Sequence, residues 1–434
     1  MKRSTLLILL ALATAPLTRA DTLTLSQAID TVLTRYPTIG AAQAAVDAAR
    51  GRTEQSNAGR LPQLSAEGAY TYMSLRPYVA FQLPTGTSAF YETVQNGYNA
   101  TLNLRQLLTD FGRTDALVAL ARAGEISAKD ALDQARSQLG YQVIEAWYRV
   151  LLLRQAVGVA DEEILALQEA LRVSGQKLAG GTATKFDVLT TQVRLATAQN
   201  SRTDTLAAQH REESALRQLL GWPRETRLDL AGDLDGAIPL PDLPAALAEG
   251  LRNRPEARLA QDSEKAADSR LDAADRENRP VLAAQAAGGV QNGDLPSLYT
   301  NKGYLTAGVS VSVPLFTGNR IAGQRIEAQA DRRAAESRTD EIGRVIATDV
   351  EDSFTDLDAA RSRLANADTL VAQSREALAL ARSRYANGVV TNFELLDAQS
   401  SARAAELARL QARFDCVLAS HAIARAAGRP PTAP

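Results

Sequence analysis

The sequence predicts a mainly α-helical protein with a β-barrel portion, in which long antiparallel helices form a coiled-coil barrel. Three observations lead to this fold class. Apolar residues recur every seven positions along two very long stretches, short segments alternate apolar with small polar residues, and one order of elements occurs twice. A sustained heptad is typical of left-handed coiled coils, and the alternation is typical of strands in a membrane barrel.

The composition excludes several classes of protein. The chain has 434 residues, of which 45% are hydrophobic and 5% aromatic, with 48 basic and 50 acidic side chains. This balance argues against a nucleic-acid partner, since phosphate binding needs a concentrated basic surface. One cysteine cannot make an internal disulfide, and one cysteine with two histidines cannot make a Cys/His zinc site. Neither histidine belongs to a catalytic motif, so we expect no cofactor and no enzymatic activity.

Residues 1–20 have the pattern of a secretory signal peptide. Lys2 and Arg3 precede a short apolar run, and Ala20 occupies the position before the expected cleavage site. The apolar run is too short for a transmembrane helix, and no later segment has eighteen consecutive apolar residues. The sequence therefore predicts an exported protein without a membrane-spanning helix.

The remaining chain contains one unit twice. Pro37 and Pro62 match Pro255 and Pro280 at a constant offset of 218 positions, and the segment 181–189 matches 388–396 at an offset of 207. A repeat of this length indicates duplication of a whole folding unit rather than a solenoid. The expected division is a first repeat at 21–220, a connector at 221–243, a second repeat at 244–428 and a short tail at 429–434.

Each repeat has the same expected order of elements. The order is a helix, a β-hairpin, a long helix and a returning helix. The first repeat has them at 25–59, 62–106, 113–178 and 184–220, and the second at 244–278, 281–314, 320–386 and 391–427.

The long helices carry the heptad. Val350, Leu357, Leu364, Val371, Leu378 and Tyr385 recur every seven residues, and the apolar positions of the first long helix have the same register. This seam predicts coiled-coil packing. A plain antiparallel bundle is the alternative that the seam alone leaves open.

Two alternating segments, 94–104 and 305–313, indicate the β-barrel. One face of each is apolar and the other is small and polar, although a soluble sandwich strand has a similar pattern. Four strands cannot close a barrel, and open strand edges are forbidden in lipid. The chain must therefore combine its strands with copies of itself, and three copies would supply twelve strands.

These features together resemble one family, the TolC-like outer-membrane efflux proteins. The likeness covers the whole chain after residue 20 and includes the strand-to-helix motif at 315–318, Leu-Phe-Thr-Gly. The resemblance implies a homotrimer whose barrel contacts outer-membrane lipid in a Gram-negative bacterium and whose helical tunnel extends into the periplasm. It also implies two further partners, a periplasmic adaptor protein and an inner-membrane pump of the RND, MFS or ABC type.

The turns that end the two long helices are the main candidate site. Glycine suits the left-handed conformation that reverses a chain after a helix, and capping-box pairs open both returning helices, Thr184 with Asp187 and Thr391 with Glu394. The resemblance implies that the adaptor docks on these tip turns. The six residues expected to contact it are Gly180, Gly181, Thr182, Asn387, Gly388 and Val389.

Four further residues have expected roles near the tip turns. Glu394 and Asp397 share a helix face, and the resemblance implies that three copies of each form a carboxylate ring that favours cations. Stabilisation of the helix dipole is an alternative, compatible role for Glu394. Asp187 and Tyr385 match the family's closed-state latch, although Val390 stands where some relatives have an arginine.

The predicted function is that of a passive exit duct that exports small molecules from the cell. The outer-membrane component of a type I protein secretion system is an alternative. A poreless periplasmic coiled coil is a more distant one, since it leaves the alternating segments unexplained.

Overall fold

The structure is a computed structural model that describes residues 22–235, 238–294 and 297–432. The expected signal peptide at 1–20 lies outside the described residues. The helices are α1 (Leu25–Arg35), α2 (Pro37–Ala58), α3 (Arg113–Ala179), α4 (Lys185–Leu220), α5 (Leu243–Asn253), α6 (Pro255–Asp275), α7 (Arg320–Ala386) and α8 (Asn392–Ala426). The strands are β1 (Gln63–Tyr72), β2 (Tyr78–Leu83), β3 (Gly86–Tyr91), β4 (Asn96–Thr109), β5 (Val281–Gln291) and β6 (Lys302–Ser312).

The described residues form two compact units. The first combines 22–39, 135–235, 238–250 and 348–432 and is helical. Its largest fully buried side chains are Trp147, Ile144, Leu216, Leu234 and Ile423. Burial of an apolar side chain of this size contributes about 1.5–3 kcal/mol. The helices of this unit are therefore held by their apolar stripes rather than by helix propensity.

The heptad seam of α7 faces this core. Four residues of the seam are buried, namely Val350, Leu357, Val371 and Tyr385. The other two, Leu364 and Leu378, are half-buried. Val350 packs against Ala246 and Ala426, while Leu357 packs against Ala419 and Ile423 of α8. The seven-residue spacing thus aligns one face of α7 with its helical neighbours in the unit.

The second unit combines 40–134, 251–294 and 297–347 and contains a four-stranded antiparallel sheet in the order β1-β4-β5-β6. The register pairs Ala66 with Leu102 and Leu282 with Val311. Leu102, Leu305 and Val311 are exposed on one face of the sheet. This exposed apolar face is what a sheet in contact with lipid requires.

A second hairpin lies between β1 and β4, where the sequence analysis expected only one hairpin at 62–106. Strands β2 and β3 pair from Tyr78 with Tyr91 to Leu83 with Gly86. Phe81 and Phe90 pack edge to face with ring centroids 5.9 Å apart. Its short strands alternate less regularly than β4, so the alternation did not reveal them.

The single helices expected at 25–59 and 244–278 are wrong, because each is divided in two. α1 ends before Tyr36 and α2 begins at Pro37, while Arg254 separates α5 from α6 at Pro255. Tyr36 and Arg254 both have extended backbone. A proline has no N–H to continue the helical ladder, and it disfavours the helical conformation of the residue before it.

No helix in the described part of the chain combines the length and the apolar character needed to cross a membrane.

Candidate functional site at the helical turns

The two tip turns, defined as residues 180–184 and 387–391, have the same backbone conformation. Gly181 and Gly388 both have φ of 73°. The amide of Thr182 donates to the Lys177 carbonyl at 2.8 Å, and the amide of Val389 donates to the Arg384 carbonyl at 2.9 Å. An added Cβ would meet no atom within 4 Å at either glycine, so the positive φ alone requires glycine here.

The returning helices begin with matching capping boxes. The Thr184 amide donates to the Asp187 carboxylate at 2.9 Å, and the Asp187 amide donates to the Thr184 hydroxyl at 3.2 Å. Thr391 and Glu394 repeat both bonds at 2.7 and 3.3 Å. The structural role expected for these residues is therefore present in the geometry. Each box satisfies amides that lack a partner in the first helical turn.

The six residues expected to contact an adaptor are all exposed. Two aromatic side chains missed by the sequence analysis lie beside them, Phe186 with 75% and Phe393 with 65% of its surface exposed. They occupy equivalent positions, 207 residues apart, in the first turns of α4 and α8. A search for apolar residues two positions after a capping threonine could have found both.

Tyr385 lies at the end of α7 with only 7% of its surface exposed. The ammonium group of Lys177 lies 3.9 Å from its ring centroid and also donates to its backbone carbonyl. Burial raises the pKa of the Tyr385 phenol, and the negative charge of Asp187 raises this pKa further. The buried hydroxyl has no hydrogen-bond partner among the described residues. Tyr385 is thus held by its ring and its backbone.

Asn392 joins the two turns, and the sequence analysis missed this residue. Its Nδ2 donates to the Asp187 carbonyl at 3.1 Å and to the Thr191 hydroxyl at 3.0 Å. Only 4% of Asn392 is exposed, and Thr191 is completely buried. Both bonds connect the start of α8 to the start of α4 through buried polar groups. The sequence offered one indication of this role, which is that the second repeat has an asparagine where the first has Lys185.

Glu394 and Asp397 are both exposed. The Glu394 carboxylate accepts from the Thr391 amide and hydroxyl, so it is committed to the capping box. No ion pair or hydrogen bond involves the Asp397 side chain in the described part of the chain. Asp397 therefore presents an unneutralised carboxylate one helical turn beyond the cap.

The chain matches the family model of the outer membrane efflux proteins at residues 28–222 and 246–429. It is 25% identical over 336 residues to outer membrane efflux protein BepC of Brucella suis, covering 76% of this chain and 71% of that protein. It is 26% identical over 388 residues to alkaline protease secretion protein AprF of Pseudomonas aeruginosa, covering 86% and 78%.

Solved structures show the same fold. The outer membrane protein VceC of Vibrio cholerae superposes with a TM-score of 0.79 at 21% identity, covering 94% of this chain and 97% of that one. The MtrE outer membrane channel of Neisseria gonorrhoeae, solved in its open state, gives 0.79 at 20% identity, covering 94% and 89%. The predicted fold class, mainly helical with four sheet strands per chain, is confirmed.

The family match removes the alternative of a poreless periplasmic coiled coil, because members of this family are outer-membrane channel proteins. The predicted outer-membrane location is confirmed by the same match. The TolC-like resemblance inferred from the order of elements and the two tip turns is confirmed as well. The chain belongs to the outer membrane efflux protein family.

Proposed function

We propose that this protein is the passive exit duct of a tripartite efflux pump, that it works as a homotrimer, and that it exports small molecules without catalysing a reaction. The observation that carries the proposal is the four-stranded sheet with β1 and β6 at its two edges. An outer-membrane protein cannot leave strand edges unpaired in lipid. Three copies would pair β6 of each protomer with β1 of the next and give twelve strands.

The tip turns support docking of a periplasmic adaptor. Gly180, Gly181 and Thr182 in one turn, and Asn387, Gly388 and Val389 in the other, are exposed. Phe186 and Phe393 add apolar surface beside them. Aromatic side chains on an exposed, rigid turn are typical anchors of a protein interface. An RND, MFS or ABC pump in the inner membrane would supply the energy through this adaptor.

The gate would lie at the same end. Asp187 and Tyr385 would form the latch. Two contacts support this proposal, that of Lys177 with the Tyr385 ring and that of Asn392 with the Asp187 carbonyl. Glu394 and Asp397 would form the carboxylate ring. Because Asp397 is exposed and unpaired in the described residues, it is the stronger source of a cation-selective field.

A test begins with the assembly. Detergent-extracted protein should run as a heat-sensitive trimer on a gel and form channels in planar bilayers. A photoreactive residue at Val389 should then capture a periplasmic adaptor in intact cells, with the same residue at exposed Leu165 of α3 as a control. A well-expressed protein that remains monomeric, or that is captured equally at both sites, would contradict the proposal.

Type I protein secretion is the second candidate. The sequence identity to AprF, an alkaline protease secretion protein, is 26%, and the identity to the efflux protein BepC is 25%. The two functions differ in the pump that is recovered together with the adaptor. A dedicated ABC transporter encoded with an exported polypeptide would favour secretion over small-molecule efflux.

A further inference from the structure

The polar face of the sheet carries an unpaired cation, Arg105, near the end where the strands lead into helices. Strand residues alternate between faces, and Leu104 lies on the exposed apolar face with Leu102. Arg105 therefore lies on the opposite face, in register with Gln63 of β1 and Gln285 of β5. In a barrel whose apolar face contacts lipid, this opposite face lines the lumen.

Arg105 lines a cavity of about 330 Å³ at the point where strands give way to helices. The strands contribute Gln63, Arg105, Leu107 and Val281, and the following helix contributes Leu117. The cavity thus combines apolar side chains with a guanidinium group. A volume of this size accommodates a small aromatic or aliphatic ligand.

The other charged side chains at the cavity, Asp110 and Arg113, already have partners. The Asp110 carboxylate accepts from the Thr114 amide at 2.7 Å and from the Gly112 amide at 3.2 Å. Arg113 forms an ion pair with Glu277 at 2.8 Å. No acidic side chain pairs with Arg105 in the described ranges. Among the described charged side chains that line the cavity, Arg105 is therefore the one without a partner, and a guanidinium binds carboxylate or sulfonate oxygens in a fork.

We propose that Arg105 and this cavity form a binding site for amphiphilic organic anions, three of them in the assembled barrel. The acidic group of the ligand would bind Arg105, and its apolar body would lie against Leu107, Leu117 and Val281. The inference rests on the proposed function, since it needs the sheet to close into a channel. The barrel end would therefore prefer anions, whereas the carboxylate ring at the tip turns would prefer cations.

The experiment measures block of single-channel current in planar bilayers by 1-naphthalenesulfonate. Arg105→Gln should weaken the block about tenfold, the loss expected for one charge-assisted contact. Arg105→Lys keeps the charge without the fork and should give an intermediate value. Arg105 is exposed, so each variant should still assemble, and the trimer on a gel checks this.

Lys302→Gln is the matched control. Lys302 lies on the same face, in register with Gln291, which is itself paired with Asn99. It is roughly 20 Å from Arg105 along the strands. The site requires that Lys302→Gln leaves the block unchanged. An equal loss in both variants would indicate a general lumen potential and overturn the site, as would an unchanged block in Arg105→Gln.

Methanesulfonate tests the apolar wall. If the cavity binds the apolar part of the ligand, methanesulfonate should block at least tenfold more weakly than 1-naphthalenesulfonate, because methanesulfonate has no aromatic ring to bury. Equal potency of the two anions would overturn the cavity and leave only a charge effect. Wild-type protein that forms no channel would instead contradict the proposed function, and with it this inference.

Discussion

The two tip turns have the same local structure but different connections to the rest of the helical unit. Gly181 and Gly388 share one φ value, and each turn is followed by a capping box. The equivalent positions Lys185 and Asn392 differ, since Lys185 is exposed and Asn392 is buried and bonded to α4. The local structure of the turn is therefore duplicated, while the buried contact between the turns is made by the second repeat alone, through Asn392.

The same asymmetry occurs further along α4 and α8. His421 is buried with 3% of its surface exposed, 5.7 Å from the ring of Tyr148. Its equivalent in α4, Ser214, is exposed and donates to the His210 carbonyl. α8 thus buries a position that α4 leaves exposed. This difference can be tested at matched positions, beginning with the largest expected effect.

His421 should make the helical unit sensitive to acid. Burial lowers the pKa of this imidazole from 6.5 to about 4. Between these values the unfolded state binds a proton that the folded state does not, so stability falls as the pH decreases from 6.5 towards 4, by up to about 3 kcal/mol. Unfolding rates measured across this range should rise more steeply for wild type than for His421→Phe.

His210→Gln is the control for that comparison, because His210 is exposed on α4. Its pH profile should follow that of wild type. Identical profiles for His421→Phe and wild type would show that another group controls acid sensitivity.

Asn392→Ala should loosen the junction between the turns, whereas Lys185→Ala should not. The first substitution removes two hydrogen bonds and leaves the buried Thr191 hydroxyl without its donor, at a cost of about 2 kcal/mol. Amide exchange at the start of α4 should accelerate roughly thirtyfold in Asn392→Ala. Equal exchange in both variants would mean that the contact does not hold the turns together.

Gly181→Ala and Gly388→Ala should cost the same, about 1–2 kcal/mol each, because an alanine is strained at positive φ. Local exchange in each turn measures this cost. Clearly unequal effects would contradict the view that the two turns are locally equivalent. Gly175 of α3, which has open space around it and helical backbone, provides a neutral site for comparison.

The latch predicts that Asp187→Ala or Tyr385→Ala raises single-channel conductance, about twofold if the closed state dominates in wild type. Leu178→Ala is the control for Tyr385, since Leu178 is the equivalent residue and is partly exposed. Removal of the Lys177 side chain should act in the same direction through the lost ring contact. Unchanged conductance in both latch variants would remove these residues from the gate.

The smallest effect is expected for the carboxylate ring. Glu394→Ala combined with Asp397→Ala should lower the cation-to-anion permeability ratio about twofold, since exposed charges are screened within about 8 Å at physiological salt. The reversal potential in a salt gradient measures this ratio. Thr190→Asp, which adds an acid at the position equivalent to Asp397, should raise it. A wild-type reversal potential in the double variant would argue against the ring.

Much of the fold could be predicted because it depends on periodicity. The seven-residue seam from Val350 to Tyr385 and the alternation around Leu102 and Leu305 are properties of the chain itself, and they identify helices and strands without tertiary information. Capping boxes and the two turn glycines are equally local. The break at Tyr36 was not predicted. Whether one proline ends a long helical pattern depends on its tertiary surroundings, which the pattern does not contain.

The residues of the candidate site were predicted unevenly for the same reason. Asp187 and Glu394 could be assigned to caps from spacing alone. Lys177 and Asn392 could not, because each acts on a partner about 200 positions away. The cavity at Arg105 likewise combines strands and a helix that only the folded sheet places side by side.

The sequence by itself determined the exported, mainly helical chain with duplicated turns and barrel strands, because these depend on interactions between residues a few positions apart. Only the tertiary structure decided that Tyr385 lies under Lys177, that Asn392 links α8 to α4, that His421 is buried where Ser214 is exposed, and that Arg105 lacks an acidic partner in the described residues. These features depend on which side chains, distant in sequence, pack together and remove each other from solvent. Burial and pairing of that kind set the free energies of polar groups, and no local pattern specifies them.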